Sequence, residues 1–319
     1  MESTVTLIAY HRIAMPGNPD LADSLIDAYP NDFEEQLHYL AEHYTVVSAW
    51  DVVRALREGY SLPPHALVIT FDDGYCCFRD TALPILQRLG LPVTLFIPTA
   101  FLGGAGTGFW WDAAYRTVMG TAESAIEVPG SGWLPLDSPA ARRHAFNRLV
   151  ARVERLPETA AAQLVARVVE RGGLAPPARR YLLDWDDVAA LAAGGVAIGP
   201  HTQHHPILAQ LTPERVRAEV TGSWADLQAH IPHPLPIFCY PNGKPHAISP
   251  VAVAAVQAAG LAGACTMVAG LNVLGRTNPY LLYRVGMEAG ESLQKYVLKL
   301  TAAARVYRNV KSLIRHAAH

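Results

Sequence analysis

The apolar residues of this chain fall into short continuous runs separated by segments of helical spacing. Residues 5–10 make one such run, which suits a buried strand. Residues 14–31 carry Pro, Gly, Asn and Asp, a loop composition. Asp32 is placed to cap a helix whose Phe33, Leu37 and Leu40 share one face. A short strand is expected at 45–47, with Ser48 capping the helix that bears Trp50, Val53 and Leu56. Residues 66–71 give the strongest strand signal. A helix is expected from Gly74 to Leu89, stopped by Gly90, and a strand at 92–97. After an interruption, Asp184 is placed to cap a helix through Leu191, and 196–198 is strand-like. Pro213 opens a helix behind Thr212. Residues 236–240 form a strand ending in the turn Pro241-Asn242-Gly243. A helix opens at Ser249-Pro250 and ends at Gly260, and 262–267 is the next strand. This β-then-α alternation predicts a parallel sheet or barrel, where chemistry gathers at the C-terminal ends of strands.

Residues 101–180 break the alternation. A Gly-rich turn at 103–108 leads into Phe109-Trp110-Trp111-Asp112, and 138–172 reads as one or two amphipathic helices. We read this block as a helical insertion within a single domain spanning 1–319. The length of 319 residues and the 50% hydrophobic content support one large α/β domain or two small ones.

Charge changes the picture little. Lys plus Arg is 26 against 28 for Asp plus Glu, so no nucleic-acid partner is expected. Cys76, Cys77, Cys239 and Cys265 form no C-x-x-C pair, and a reducing compartment is the default. The start is acidic at Glu2 and its apolar stretch is short, unlike a secretion signal; no uncharged run approaches 18 residues. A cytoplasmic location is therefore expected. Residues 291–319 carry Lys295, Lys299, Arg305, Arg308, Lys311 and Arg315, with no acidic residue after Glu291. This basic C-terminal helix suits either packing on the barrel or peripheral contact with an anionic membrane.

Two short segments carry the chemistry. Thr70-Phe71-Asp72-Asp73-Gly74 ends one strand, and His201-Thr202-Gln203-His204-His205 follows another. They supply two adjacent carboxylates and two imidazoles four residues apart; three of these four groups suffice to hold a divalent ion with one position open, leaving the fourth as a base. Asp72 and Asp73 would point to opposite sides if the strand is still extended there. His201 and His205 can reach one ion, while His204 points elsewhere. The plainer alternatives are a turn at Asp-Asp-Gly and a surface histidine cluster.

These segments resemble the motifs of the polysaccharide deacetylases, the NodB-homology carbohydrate esterases. Residues 70–74 match the first motif and 201–205 the second, H-[S/T]-x-x-H. Phe238-Cys239-Tyr240-Pro241-Asn242-Gly243 resembles the third, and Tyr10-His11-Arg12 the opening of many bacterial members. The resemblance covers roughly 5–112 and 182–288. It implies a distorted (β/α) barrel of about seven parallel strands and one divalent metal, zinc or another first-row ion. It implies Asp73, His201 and His205 as metal ligands and Asp72 as the base that deprotonates the metal's water. A backbone N–H near Asn242 would hold the oxyanion.

The sequence departs from the family at two places. Cys239 stands where the third motif carries an Arg that orients the base, and Arg284 is the candidate substitute. No C-terminal L-x-H segment supplies the general acid, and His11 is the candidate, by analogy with circularly permuted members. Trp110, Trp111 and Tyr240 are expected to contact a sugar; Trp133 is a further aromatic of the insertion. The implied activity is hydrolysis of an acetamide on an N-acetylated saccharide, free or lipid-linked. A small-molecule amidohydrolase and a non-catalytic glycan-binding protein are the alternatives.

Overall fold

The computed structural model describes residues 3–18, 21–102, 108–173 and 180–301. Among them are eleven strands: β1 (Thr4–Tyr10), β2 (Thr45–Val46), β3 (Ala66–Asp72), β4 (Thr94–Ile97), β5 (Ala125–Val128), β6 (Gly132–Pro135), β7 (Ala197–Pro200), β8 (Ile237–Cys239), β9 (Gly263–Cys265), β10 (Asn272–Val273) and β11 (Val285–Gly286). Seven of these join in one mostly parallel sheet. β1 runs parallel to β3 and to β11, β3 to β4, and β4 to β7, while β2 pairs with the start of β3 and β10 lies antiparallel to β1. The fold is α/β, as the alternation predicts. β8 and β9 make a separate parallel pair. A bridge from Cys265 to Leu282 leads from β9 toward β11, and Leu235 N–H donates to the carbonyl of Ile198 in β7. No ladder joins β7 to β8 among the described residues.

All seven residues of β3 are buried. That is the signature of a strand covered on both faces, and it explains the unbroken apolar run. Phe71 packs on Tyr10, Phe33 and Phe78, with ring centroids 5.3, 5.9 and 4.9 Å away. Local chemistry fixes most helix starts. Ser48 with Asp51 and Asp184 with Asp187 form reciprocal capping boxes, and Thr212 and Ser249 each cap a helix with Pro at its first position.

Two local readings are corrected. The first helix spans Pro30–His43 and starts after Tyr29, so Asp32 sits inside its first turn rather than capping it. Pro30 explains this, because its ring pre-sets the helical φ and its missing N–H would have no helical partner there. The helix after Gly74 is also not continuous. Phe78–Ala82 is a π-turn leading into Leu83–Arg88. Pro84 has no N–H to give the carbonyl four residues back, and Leu83 N–H instead reaches Phe78 O.

The chain forms two compact units. The first comprises Met1–Met15, Ile26–Leu102 and Leu183–His319, and the second Pro16–Leu25 and Gly103–Leu182. The second unit has its own core, built by the helices Trp110–Gly120, Pro139–Val153 and Glu158–Gly172 and the hairpin β5–β6. Tyr115 meets Phe146 edge-on at 5.3 Å. Arg142 donates to the carbonyls of Val118, Met119 and Thr121, which the end of the first of these helices leaves without intrahelical partners.

The expected C-terminal helix is described over Leu293–Leu300; residues 302–319 lie outside the described residues. Tyr296 and Leu300 are fully buried in the core of the first unit, and Leu293 and Val297 pack against it. Tyr10 Oη donates to Gln36 at 2.8 Å and lies 3.4 Å from Tyr296 Oη. This part of the basic helix is a packing element. Tyr296→Ala is expected to cost about 3–5 kcal/mol, the usual scale for emptying a buried aromatic site, read from a denaturant melt against the parent chain.

Candidate active site

The site lies in the first unit, at the C-terminal ends of β3 and β7. Asp72 is the last residue of β3 and Asp73 is already outside it, at φ +76 with Gly74 at φ +73. The two carboxylates therefore do not alternate across an extended strand. The chain turns at Asp73, and each carboxylate acquires a different set of neighbours.

Asp72 is buried and paired with Arg284, which is also fully buried. Arg284 Nη1 donates to Asp72 Oδ1 at 2.8 Å and Nη2 to Oδ2 at 2.7 Å, a bidentate pair. The rest of the guanidinium is also used. Nη1 donates to Thr70 Oγ1 at 2.9 Å, and Nε to the Thr266 carbonyl at 2.9 Å. Cys239 Sγ lies 2.9 Å from Arg284 Nη2 and 3.4 Å from Asp72 Oδ2. Burial pushes the Cys239 thiol well up, so it is a protonated donor to Asp72. Burial opposes the charge on Asp72, but Arg284 outweighs it and holds the carboxyl below the usual range.

Asp73 faces the histidines. His205 Nε2 lies 3.3 Å and His201 Nε2 3.6 Å from Asp73 Oδ1, with the two rings 4.8 Å apart. That Oδ1 is buried and has no hydrogen-bond partner among the described residues. His201 Nδ1 lies 2.7 Å from the Cys239 carbonyl, which fixes the proton on Nδ1 and turns the Nε2 lone pair toward Asp73. The three atoms lie within 4.8 Å of one another, and the set fits a divalent ion. Asp72, His201 and Cys239 are equally close in space. The guanidinium on both oxygens of Asp72 and the protonated thiol make that second set unfit for a cation.

His11 follows β1, with 30% of its side chain exposed, and its Nε2 is 3.8 Å from Asp72 Oδ2. Asp27, for which the sequence offered no signal beyond loop composition, accepts the His11 and Arg12 backbone N–H groups at 2.5 and 2.9 Å. The same oxygen lies 3.4 Å from His11 Nδ1. Burial opposes a charge on this ring, but Asp27, with Asp73 and Asp72 behind it, wins and raises its pKa to about 10.

Asn242 sits in the left-handed region at φ +60. Its backbone N–H donates to no protein group among the described residues. Tyr240 is a correction. It is 1% exposed, its ring packs on Phe238 at 5.3 Å, and its hydroxyl donates to the Tyr280 carbonyl. It is a core residue with no face left for a sugar. Trp110 and Trp111 belong to the second unit, where Trp111 stacks on Phe109 at 4.3 Å and Trp110 meets Trp111 edge-on at 5.6 Å. Trp133 of the same unit is 54% exposed, with Arg171 over its ring at 4.7 Å.

Comparison with known proteins agrees with this geometry. A family model described as polysaccharide deacetylase matches residues 144–264, a stretch that includes His201, His205 and the third-motif turn. No curated protein matches the sequence. Among solved structures, the Streptococcus pyogenes deacetylase PplD in complex with acetate is 16% identical; the match covers 94% of this chain and all of that one, with a TM-score of 0.63. The de-N-acetylase from Aggregatibacter actinomycetemcomitans is 16% identical over 93% of this chain and all of its own, at a TM-score of 0.60. IcaB from Ammonifex degensii is 17% identical over 89% and 92%, at 0.57. At 16–17% identity these likenesses show a shared fold, and residues 144–264 are similar to the polysaccharide deacetylase family.

Arg284→Met is expected to strand a buried carboxylate and destabilise the chain by about 3–5 kcal/mol. A denaturant titration checks it. A loss no larger than that of a surface Arg would show that the pair is not the anchor its geometry describes.

Proposed function

We propose that this protein removes the acetyl group from an N-acetylated saccharide, using one divalent metal held by Asp73, His201 and His205. The observation that carries the reading is the buried, unpartnered Asp73 Oδ1 facing two imidazole Nε2 atoms, beside a second carboxylate held apart by Arg284. One carboxylate and two imidazoles with an open position suit zinc, although other first-row ions bind such sets. When bound, the ion would supply Lewis-acid polarisation of the amide carbonyl and activation of water.

The chain's own groups divide the remaining work. Asp72 is kept ionised and oriented by Arg284, and accepts the proton from the attacking water. Cys239 S–H holds Asp72 Oδ2 from the side. The Asn242 N–H donates to the oxygen on which negative charge develops. His11, protonated and held by Asp27, gives its proton to the departing amine. Neighbouring structures that carry the name deacetylase support this reading, and one of them binds acetate, the product such a reaction releases.

Among the described residues, no helix is long and apolar enough to cross a membrane. A cytoplasmic setting, with contact between residues beyond 301 and an anionic membrane, belongs to the same proposal.

Acetate release from a panel of free and lipid-linked N-acetyl sugars tests the function, with metal content measured in parallel. Chelation should abolish turnover and reloading restore it. Asp72→Asn should keep the metal and lose turnover, because it removes a base and not a ligand. An active Asp72→Asn enzyme would sink the mechanism. His11→Ala should lower kcat by roughly 10²–10⁴-fold with metal content unchanged, and should lose less on an activated aryl acetate, whose leaving group needs no proton.

A further inference from the structure

The loop that carries His201 and His205 is not a conformation that a chain adopts unaided. Thr202 has φ +67 and His205 φ +55. For a β-branched residue such as Thr the left-handed region is a costly place. Something outside the loop must hold it, and the helix Pro213–His230 presents the means.

Glu219 of that helix is 1% exposed. Its Oε2 accepts the backbone N–H groups of Gln203 at 3.0 Å and of His204 at 2.9 Å. Its Oε1 lies 2.9 Å from His204 Nδ1 and 3.4 Å from Arg215 Nη2. One buried carboxylate thus takes both central amides of the loop and the side chain of the histidine between the two ligands. Two turns further along the same helix, Asp226 Oδ2 accepts Gln203 Nε2 at 2.9 Å and Thr99 Oγ1 at 2.6 Å. Gly222 lies between them, and a Cβ there would come within 2.4 Å of the Gln203 side chain. The helix face is shaped to receive the loop. The neighbouring loop joins the same assembly, as Thr99 and Ala100 N–H donate to the Thr202 and Gln203 carbonyls.

We infer that Glu219 is the positioning residue of the metal site: it fixes the strained loop so that both Nε2 atoms face Asp73 Oδ1, and thereby sets metal affinity. His204 is part of this lock and not a ligand. The inference rests on the metal reading above. It goes beyond it by assigning affinity to a residue that touches neither metal nor substrate.

The test is zinc affinity of metal-stripped full-length protein, by competition with a chromophoric chelator. Glu219→Ala should weaken binding by about 10–100-fold, the scale for losing an outer partner of metal ligands. Glu219→Gln, whose amide oxygen can still accept both loop N–H groups, should stay within about threefold of the parent. Glu219→Asp shortens the arm by one carbon and should weaken binding by about tenfold, even if the Ala variant fails to fold. Glu214→Ala, exposed on the same helix, should change nothing. Parent affinity in folded Glu219→Ala or in Glu219→Asp overturns the inference alone. So does an equal loss of affinity in the Gln and Ala variants, which would show that the loop bonds are not what matters. A parent chain that binds no zinc would overturn the metal reading itself.

Discussion

The buried pair between Asp72 and Arg284 is the constraint on which the rest of the site depends. Asp72 ends β3 and Arg284 immediately precedes β11, and both strands flank β1. The pair therefore spans the end of the strand from which His11 emerges. Burying two charges costs much of what their attraction returns, so such a pair adds little net stability. Its effect is geometric. With the guanidinium spent on Asp72, Thr70 and Thr266, Asp72 has one ionised, oriented state and is closed to a cation. Asp73 Oδ1, by contrast, is buried with no hydrogen-bond partner among the described residues.

The same pair explains how Cys239 can stand where the family's third motif carries an Arg. A second guanidinium would compete for carboxylate oxygens already taken. A small, neutral thiol fills the gap, donates to Asp72, and leaves its backbone carbonyl to hold His201 Nδ1. One residue thus connects Asp72 to His201, through its side chain on one hand and its main chain on the other.

Much of this was legible in the sequence. The strands at 5–10 and 66–71 and the caps at Ser48, Asp184, Thr212 and Ser249 follow from local pattern, and local chemistry decided them. The two motifs named Asp72, Asp73, His201 and His205, and the missing Arg pointed to Arg284. What stayed hidden depends on contacts between segments distant in sequence. Asp27 lies in a loop of ordinary composition, and Glu219 is one acidic residue on a helix with many polar neighbours. Tyr240 misled for the complementary reason. A motif position says which backbone lies near the site, but not which way the ring points, and the apolar neighbours of Tyr240 claimed it for the core. The helix start at Pro30 and the π-turn before Pro84 show proline chemistry overriding a plain cap or period.

Backbone strain shows where function was placed ahead of local ease. Asp73, Thr202, His205 and Asn242 all hold positive φ within the site, and only His65 and His233 share that state elsewhere among the non-glycine residues described. Each such residue costs on the order of 1–3 kcal/mol and persists only where its surroundings over-determine it. Those surroundings are identifiable here. Arg284 fixes the carboxylate before Asp73, Glu219 and Asp226 fix the loop around Thr202, and the Met267 N–H donates to Gly243 O just beyond Asn242. The chemistry sits on turns, where a side chain can be aimed freely, and the precision comes from buried charges on the helices and strands beneath. That division explains why the motifs are short and the residues that hold them lie far away in sequence.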